Sequence, residues 1–92
     1  VELHPYFQQK ELQKWVKENN ITLVAYSSLG NPSMPFRKAE DPNIMENETV
    51  KRIADELKKS PAQVILRWAI QHNIHVIPKS TNADRIKRRR FI

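Results

Sequence analysis

Short apolar runs that suit β-strands alternate in this chain with segments of helical periodicity, and this alternation constrains the fold more than any other feature. The runs are rich in β-branched and aromatic residues and lie at residues 1–3, 21–26 and 74–78. Apolar residues recur at helical spacing over residues 8–19, 49–58, 61–72 and from 83 onward. Strands that alternate with helices pair in parallel through right-handed crossovers. We therefore predict an α/β fold with three parallel strands, the middle one covered on both faces because nearly all its residues are apolar.

The helix that follows residue 60 has the clearest local signal. Ser60 suits the N-cap, Pro61 suits the first helical position, and Gln63 completes a capping box. The apolar stripes of the first and third helices each include a tryptophan, Trp15 and Trp68, and we expect both in the core.

Residues 27–47 contain three prolines, Pro32, Pro35 and Pro42, which interrupt regular structure. A loop of about twenty residues is uncommon in a compact domain and is usually functional or disordered.

Composition excludes several classes of protein. The 92-residue chain has no cysteine, which excludes disulfide scaffolds, thiolate zinc sites and cysteine nucleophiles. No apolar stretch approaches the ~20 residues of a membrane span, and no signal peptide opens the sequence, so we expect a cytoplasmic protein without a membrane partner. The net charge is +6, but four of the positive residues lie together at 87–90, so we expect no nucleic-acid partner from overall basicity.

Polar side chains follow each predicted strand. They are His4, Pro5 and Tyr6 after the first, Tyr26, Ser27 and Ser28 after the second, and Lys79, Ser80 and Thr81 after the third. The carboxyl ends of parallel strands meet at one rim, where ligands of α/β folds bind. An aromatic ring, hydroxyls and a cation on one rim suit an aromatic cofactor that carries phosphates, with Lys79 as a point charge and Arg85 as a planar fork. The N–H groups that begin the last helix would add to the attraction of phosphate.

These same residues carry a resemblance to a known family. The blocks are His4-Pro5-Tyr6, Ala25-Tyr26-Ser27-Ser28-Leu29-Gly30, Ala39-Glu40-Asp41-Pro42, and Ile77-Pro78-Lys79-Ser80 followed by Arg85-Ile86. In this order, they resemble the C-terminal half of the aldo-keto reductases, especially the aldose and aldehyde reductase branch. The resemblance covers residues 1–86, and the Ile-Pro-Lys-Ser block with an arginine five residues later is its most specific part.

The resemblance implies the last three strands, with their helices, of a (β/α)8 TIM barrel that uses NADP(H) to reduce aldehydes and ketones to alcohols. It implies that Tyr26 stacks on the nicotinamide and that Ser27, Leu29 and Asn31 line the pyrophosphate. It also implies that Lys79, Ser80 and Arg85 hold the 2′-phosphate of the adenosine. The loop after Gly30 would then fold over the cofactor.

The sequence departs from the family pattern in places. Ser28 stands where members usually have Pro, Ser33 where many have a latching Asp, and Arg89 about where an Asn that contacts adenine is expected. The likeness ends after Ile86, so we interpret residues 87–92 as a basic tail of a different origin. We therefore expect the family's C-terminal substrate loop to be absent from this chain.

The family's proton-donor Tyr, its Lys and Asp partners and its substrate-orienting His precede the position matched by Val1. We therefore assign no catalytic residue and no metal ligand to this chain, and we do not expect carbonyl reduction by the chain alone.

Alternatives remain open beside this reading. The chain could be a truncated, non-catalytic module that binds a partner through open sheet edges, or a small basic nucleic-acid binder. We interpret His4 as a structural hydrogen-bonding residue and His72 and His75 as surface residues. The Asn47-Glu48-Thr49 sequon is expected to be fortuitous in a cytosolic chain.

Overall fold

The computed structural model describes residues 1–30, 42–88 and 92. The elements are α1 (Lys10–Glu18), β1 (Leu23–Ala25), a 3-10 helix (Ile44–Glu46), α2 (Glu48–Leu57), α3 (Pro61–Gln71), β2 (Ile74–Val76) and α4 (Ala83–Arg88). Asn31, Pro32, Ser33, Pro35, the block 39–41 and Arg89 lie outside the described residues.

The strands are parallel, as predicted. Leu23 pairs with Ile74 and Ala25 with Val76. The first apolar run joins the other side of β1, because Glu2 pairs in parallel with Tyr26. Backbone hydrogen bonds of 2.8 Å from Tyr26 N to Val1 O and of 3.3 Å from Leu3 N to Tyr26 O hold it there. The order from one edge to the other is therefore the first run, β1 and β2.

Helices α1 and α3 cover one face of this sheet. The central core cluster consists of Leu3, Val16, Leu23, Ala25, Ala69 and Ile74, with Leu12, Trp68 and Val76 packed against it. Alternate residues of the strands point to opposite faces, so the core-facing side of β1 is Leu23 and Ala25. The α/β prediction is confirmed, and Trp68 contacts the core cluster as expected.

Two burial predictions are wrong. Val24 is 42% exposed, so β1 is covered on one face only. An all-apolar strand can be buried on both faces, but its second face is buried only where another layer of the protein packs against it. Trp15 is 53% exposed, because the buried side of α1 is centred on Val16 and Trp15 lies about 100° away around the helix.

The start of α3 follows its sequence signal. Ser60 Oγ accepts from Gln63 N at 3.2 Å, and Ser60 N donates to Gln63 Oε1 at 2.8 Å, which completes the predicted capping box. The Gln63 amide also donates to Arg88 O at 2.8 Å and thereby joins the end of α4 to the start of α3. Lys58 ends α2 with a φ of 56°, and Lys59 N donates back to Ala54 O.

None of the helices in the described part of the chain combines the length and apolar content needed to cross a bilayer.

Candidate functional site

The rim at the carboxyl ends of the strands brings the candidate residues to one end of the sheet. Tyr26 follows β1 directly, and the register that pairs Ala25 with Val76 places Ile77 beside it. Lys79 lies two residues further along the same segment, about 7 Å at most for extended chain. The backbone therefore presents Tyr26 and Lys79 at the same edge.

A tight turn follows Tyr26. Ser27 adopts a left-handed backbone with a φ of 54°, and Gly30 N donates to Ser27 O at 2.9 Å, so the chain reverses within residues 27–30. Ser28 is buried, and its Oγ donates to Ala25 O at 3.3 Å. Leu29 is half-buried, while Tyr26 is 52% exposed, so its side chain is accessible to a flat ligand. An exposed aromatic residue therefore directly precedes a hydrogen-bonded turn.

Gly30 closes this turn against the 3-10 helix. Its φ of 78° suits glycine, and a Cβ built there would lie 2.8 Å from Cδ1 of Ile44. Ile44 is buried, with 1% of its surface exposed. Gly30 therefore suits its backbone conformation, and any side chain there would require the end of the Ile44 side chain to shift.

The segment after β2 carries the cations. Ser80 Oγ accepts from Asn82 N at 3.0 Å, and Asn82 Oδ1 accepts from Arg85 N at 3.1 Å, so the two side chains order the start of α4. The Ser80 hydroxyl keeps its proton for another acceptor. Lys79 and Arg85 are exposed, and neither forms an ion pair with a carboxylate of residues 1–30 or 42–88. Both cations are accessible to an anion.

An open apolar cavity of about 440 Å³ lies beside the carboxyl end of β2. It is lined by Leu66, Val76, Ile77, Pro78 and Ile92. The side chains of these described residues are apolar, so they supply no donor for a phosphate.

The turn after the first run belongs to the same rim. His4 N donates to Phe7 O at 3.2 Å and Phe7 N to His4 O at 2.9 Å, which places Pro5 and Tyr6 at the tip. His4 is buried, and its Nε2 lies 3.0 Å from a Glu2 carboxylate oxygen, in keeping with a structural histidine. Its Nδ1 has no partner among the described residues.

The sequence did not identify Asn47 as a residue that caps α2 and contacts Tyr6. Its Oδ1 accepts from Thr49 N at 2.9 Å and from Val50 N at 3.2 Å, which caps α2. Its Nδ2 donates to the Tyr6 hydroxyl at 3.0 Å. An asparagine before an acidic first helical turn is an N-cap signal, but nothing local indicates a contact with a residue 41 positions away.

Among the titratable groups of residues 1–30 and 42–88, Lys51 has a clear pKa shift. A hydrogen bond and ion pair with Glu46 at 2.9 Å raise the pKa of Lys51 above its ordinary value of 10.5. The described residues contain no cluster of three or more His, Asp or Glu side chains that could hold a metal ion.

Comparisons with known proteins agree on one family. The family model described as "Aldo/keto reductase family" matches residues 1–89. The chain is 48% identical over 90 residues to the NAD(P)H-dependent D-xylose reductase I,II of Candida tropicalis, covering 94% of this chain and 28% of that protein. It is 47% identical over 87 residues to the 9,11-endoperoxide prostaglandin H2 reductase of Trypanosoma cruzi, covering 95% of this chain and 28% of that protein.

A solved structure gives the same result for the fold. The crystal structure of an aldo/keto reductase from Brucella melitensis superposes with a TM-score of 0.81 at 40% identity, covering 100% of this chain and 31% of that one. The chain spans less than a third of the length of these relatives. From the family match and these relatives together, the chain belongs to the aldo/keto reductase family.

Proposed function

We propose that this chain supplies the nucleotide-binding part of an NADP(H)-dependent oxidoreductase that reduces aldehydes and ketones to alcohols. The observation that carries the proposal is the rim itself, where an exposed aromatic ring and two accessible cations follow adjacent parallel strands. Relatives named as NAD(P)H- or NADPH-dependent D-xylose reductases support the choice of cofactor.

The residues present fit such a cofactor. The half-exposed ring of Tyr26 offers a flat surface for an aromatic ring, and the compact turn at 27–30 brings backbone close to the rim. Lys79 and Arg85 offer charge and a bidentate fork for a phosphate, and Ser80 offers a hydroxyl. A bound reduced nicotinamide would supply the hydride for carbonyl reduction.

The work of this chain's own residues is positioning. Tyr26 would orient one flat end of the ligand, while Lys79, Ser80 and Arg85 would fix the phosphate at the other. Ser27 and Leu29 would line the connecting part with main-chain groups, and Asn31, outside the described residues, is proposed to join them. Charge on a 2′-phosphate, which NADH lacks, would favour NADPH at Lys79.

The proposed setting is a complete (β/α)8 barrel, in which residues 1–86 form the last three strands with their helices. The helix-free face of the sheet supports this, because Val24 and Tyr26 are exposed there. In a closed barrel this face points to the interior, where side chains of the other strands would cover it. We propose that a proton donor on those other strands completes the reaction with a small carbonyl substrate.

The test uses a spliced reductase in which this chain replaces the matching segment of the Candida tropicalis enzyme. Lys79→Met is expected to weaken NADPH binding about 10- to 100-fold, from about 1.5–3 kcal/mol for a charged contact, while NADH binding changes less than about twofold. Lys87→Met is the matched control, since Lys87 is also an exposed lysine but is given no phosphate. Equal losses for both cofactors in a fluorescence titration would remove the 2′-phosphate assignment.

A second candidate function is partner binding by a non-catalytic fragment. It is favoured by the exposed sheet face and by the outer edge of β2, along which the described residues place no further strand. Sedimentation of the 92-residue chain tests it. Concentration-dependent association supports this function, and a monomer that melts cooperatively argues against it.

A further inference from the structure

Tyr6 lies on the rim but is given no contact with the cofactor. It sits at the tip of the turn between His4 and Phe7, about half-exposed, and its hydroxyl accepts from Asn47 Nδ2 at 3.0 Å. Asn47 is also held at its other side-chain end, since its Oδ1 caps α2 through two backbone N–H groups.

Asn47 is connected in turn to the cofactor turn. Its backbone N–H donates to Ile44 O at 3.0 Å and closes the 3-10 helix. The side chain of Ile44 fills the space directly above Gly30, where a Cβ would lie 2.8 Å away. Gly30 N is bonded to Ser27 O at 2.9 Å. A path of direct contacts therefore runs from the Tyr6 hydroxyl to the turn at 27–30.

We propose that Tyr6 is a positioning residue for this reductase site, acting through Asn47 and Ile44 on the turn that lines the pyrophosphate. The inference rests on the proposed function. The Tyr6 hydroxyl holds the side chain of Asn47 at the start of α2. Asn47 in turn holds the 3-10 helix against which Gly30 packs. Without the hydroxyl, the turn at 27–30 samples more positions and loses part of its preorganised fit to the cofactor.

The test measures steady-state kinetics of the spliced reductase. Tyr6→Phe removes only the hydroxyl, and Asn47→Ser keeps an N-cap oxygen but is too short to reach Tyr6. Each is expected to raise KM for NADPH about three- to fivefold with kcat within about twofold, and the double variant is expected to lose no more than either single one. Ser60→Ala is the control, because it weakens a helix cap of similar size at a distance from this path.

A second measurement needs no catalysis. In the 92-residue chain, the Gly30 amide proton is held by Ser27 O, and Tyr6→Phe is expected to speed its exchange with solvent about three- to fivefold by NMR. Ser60→Ala is expected to leave the exchange rate of the Gly30 amide, measured relative to the exchange rates of the α1 amides, unchanged.

The outcomes separate the two proposals. If Lys79→Met weakens NADPH selectively while Tyr6→Phe changes neither KM nor Gly30 exchange, the positioning role is overturned and the proposed function stands. Additive losses in the double variant, or an equal rise of KM in Ser60→Ala, also overturn it. If the spliced reductase with the natural residues binds no NADPH, the proposed function fails, and the role of Tyr6 in it fails as well.

Discussion

Replacing Gly30 by alanine perturbs the candidate site and the fold at the same point. The backbone at Gly30 has a φ of 78°, and a new Cβ would lie 2.8 Å from Ile44 Cδ1 and 3.3 Å from Ile44 Cγ1. The first distance is far below normal contact, so an atom must move. Ile44 is 1% exposed, so the shift of its side-chain end takes place inside a packed region.

The cost can be worked from these two terms. A left-handed backbone costs a non-glycine residue about 1–2 kcal/mol, and forcing a methyl group into a packed region costs about 1–3 kcal/mol. The lower chain entropy of unfolded alanine returns about 0.4–1 kcal/mol. We expect Gly30→Ala to lower the free energy of unfolding by about 1–4.5 kcal/mol, which at its upper end is a large part of the stability of a small domain.

Ile44→Val provides the internal control, because it deletes the Cδ1 atom that the new Cβ meets. Alone it is expected to cost about 1 kcal/mol. Together with Gly30→Ala it relieves the overlap, so the pair is expected to cost about 1–2 kcal/mol less than the sum of the single changes. Urea unfolding of the 92-residue chain, followed by far-UV circular dichroism, measures all four corners of this cycle. Additivity within about 0.5 kcal/mol would refute the steric argument, and a neutral Gly30→Ala would refute the placement of the 3-10 helix.

Two further predictions concern the helix ends. Lys58→Gly is expected to stabilise the chain by about 1 kcal/mol in the same urea assay, because Lys58 ends α2 with a φ of 56° that glycine adopts without strain; a loss of stability would contradict this. Gln63→Glu keeps the acceptor for Ser60 N but replaces the donor to Arg88 O by an oxygen, and we expect a loss of about 1–2 kcal/mol at neutral pH. Repulsion by the Arg88 carbonyl raises the pKa of the new carboxyl in the folded state, so the loss is fully present above that pKa, shrinks as pH falls from it towards about 4, the unfolded value, and is absent below that value. An equal loss at pH 3 and pH 7 would contradict the proposed geometry.

Much of the fold could be predicted because its signals are local. The capping box of Ser60 and Gln63 depends on residues three apart, and parallel pairing follows from the strand–helix alternation that residues 1–26 already show. The exposure of Val24 could not be predicted, because the sequence of an apolar strand does not show whether a second layer covers it. Neither could the contact of Tyr6 with Asn47, since a hydrogen bond across 41 residues leaves no periodicity in the sequence.

The two faces of the sheet link the folding of this chain to its site. Side chains alternate along β1, so Tyr26 shares the helix-free face with Val24, while Leu23 and Ala25 share the face that the helices bury. Whatever covers Val24 must therefore approach the ring of Tyr26 as well. Burial of that face adds hydrophobic stabilisation and also restricts the positions that the Tyr26 ring can adopt. Covering the sheet and ordering the nicotinamide end of the proposed site are therefore coupled. Lys79 lies beyond β2 on a segment ordered by its own local hydrogen bonds from Ser80 onward, so the phosphate end depends much less on what covers the sheet.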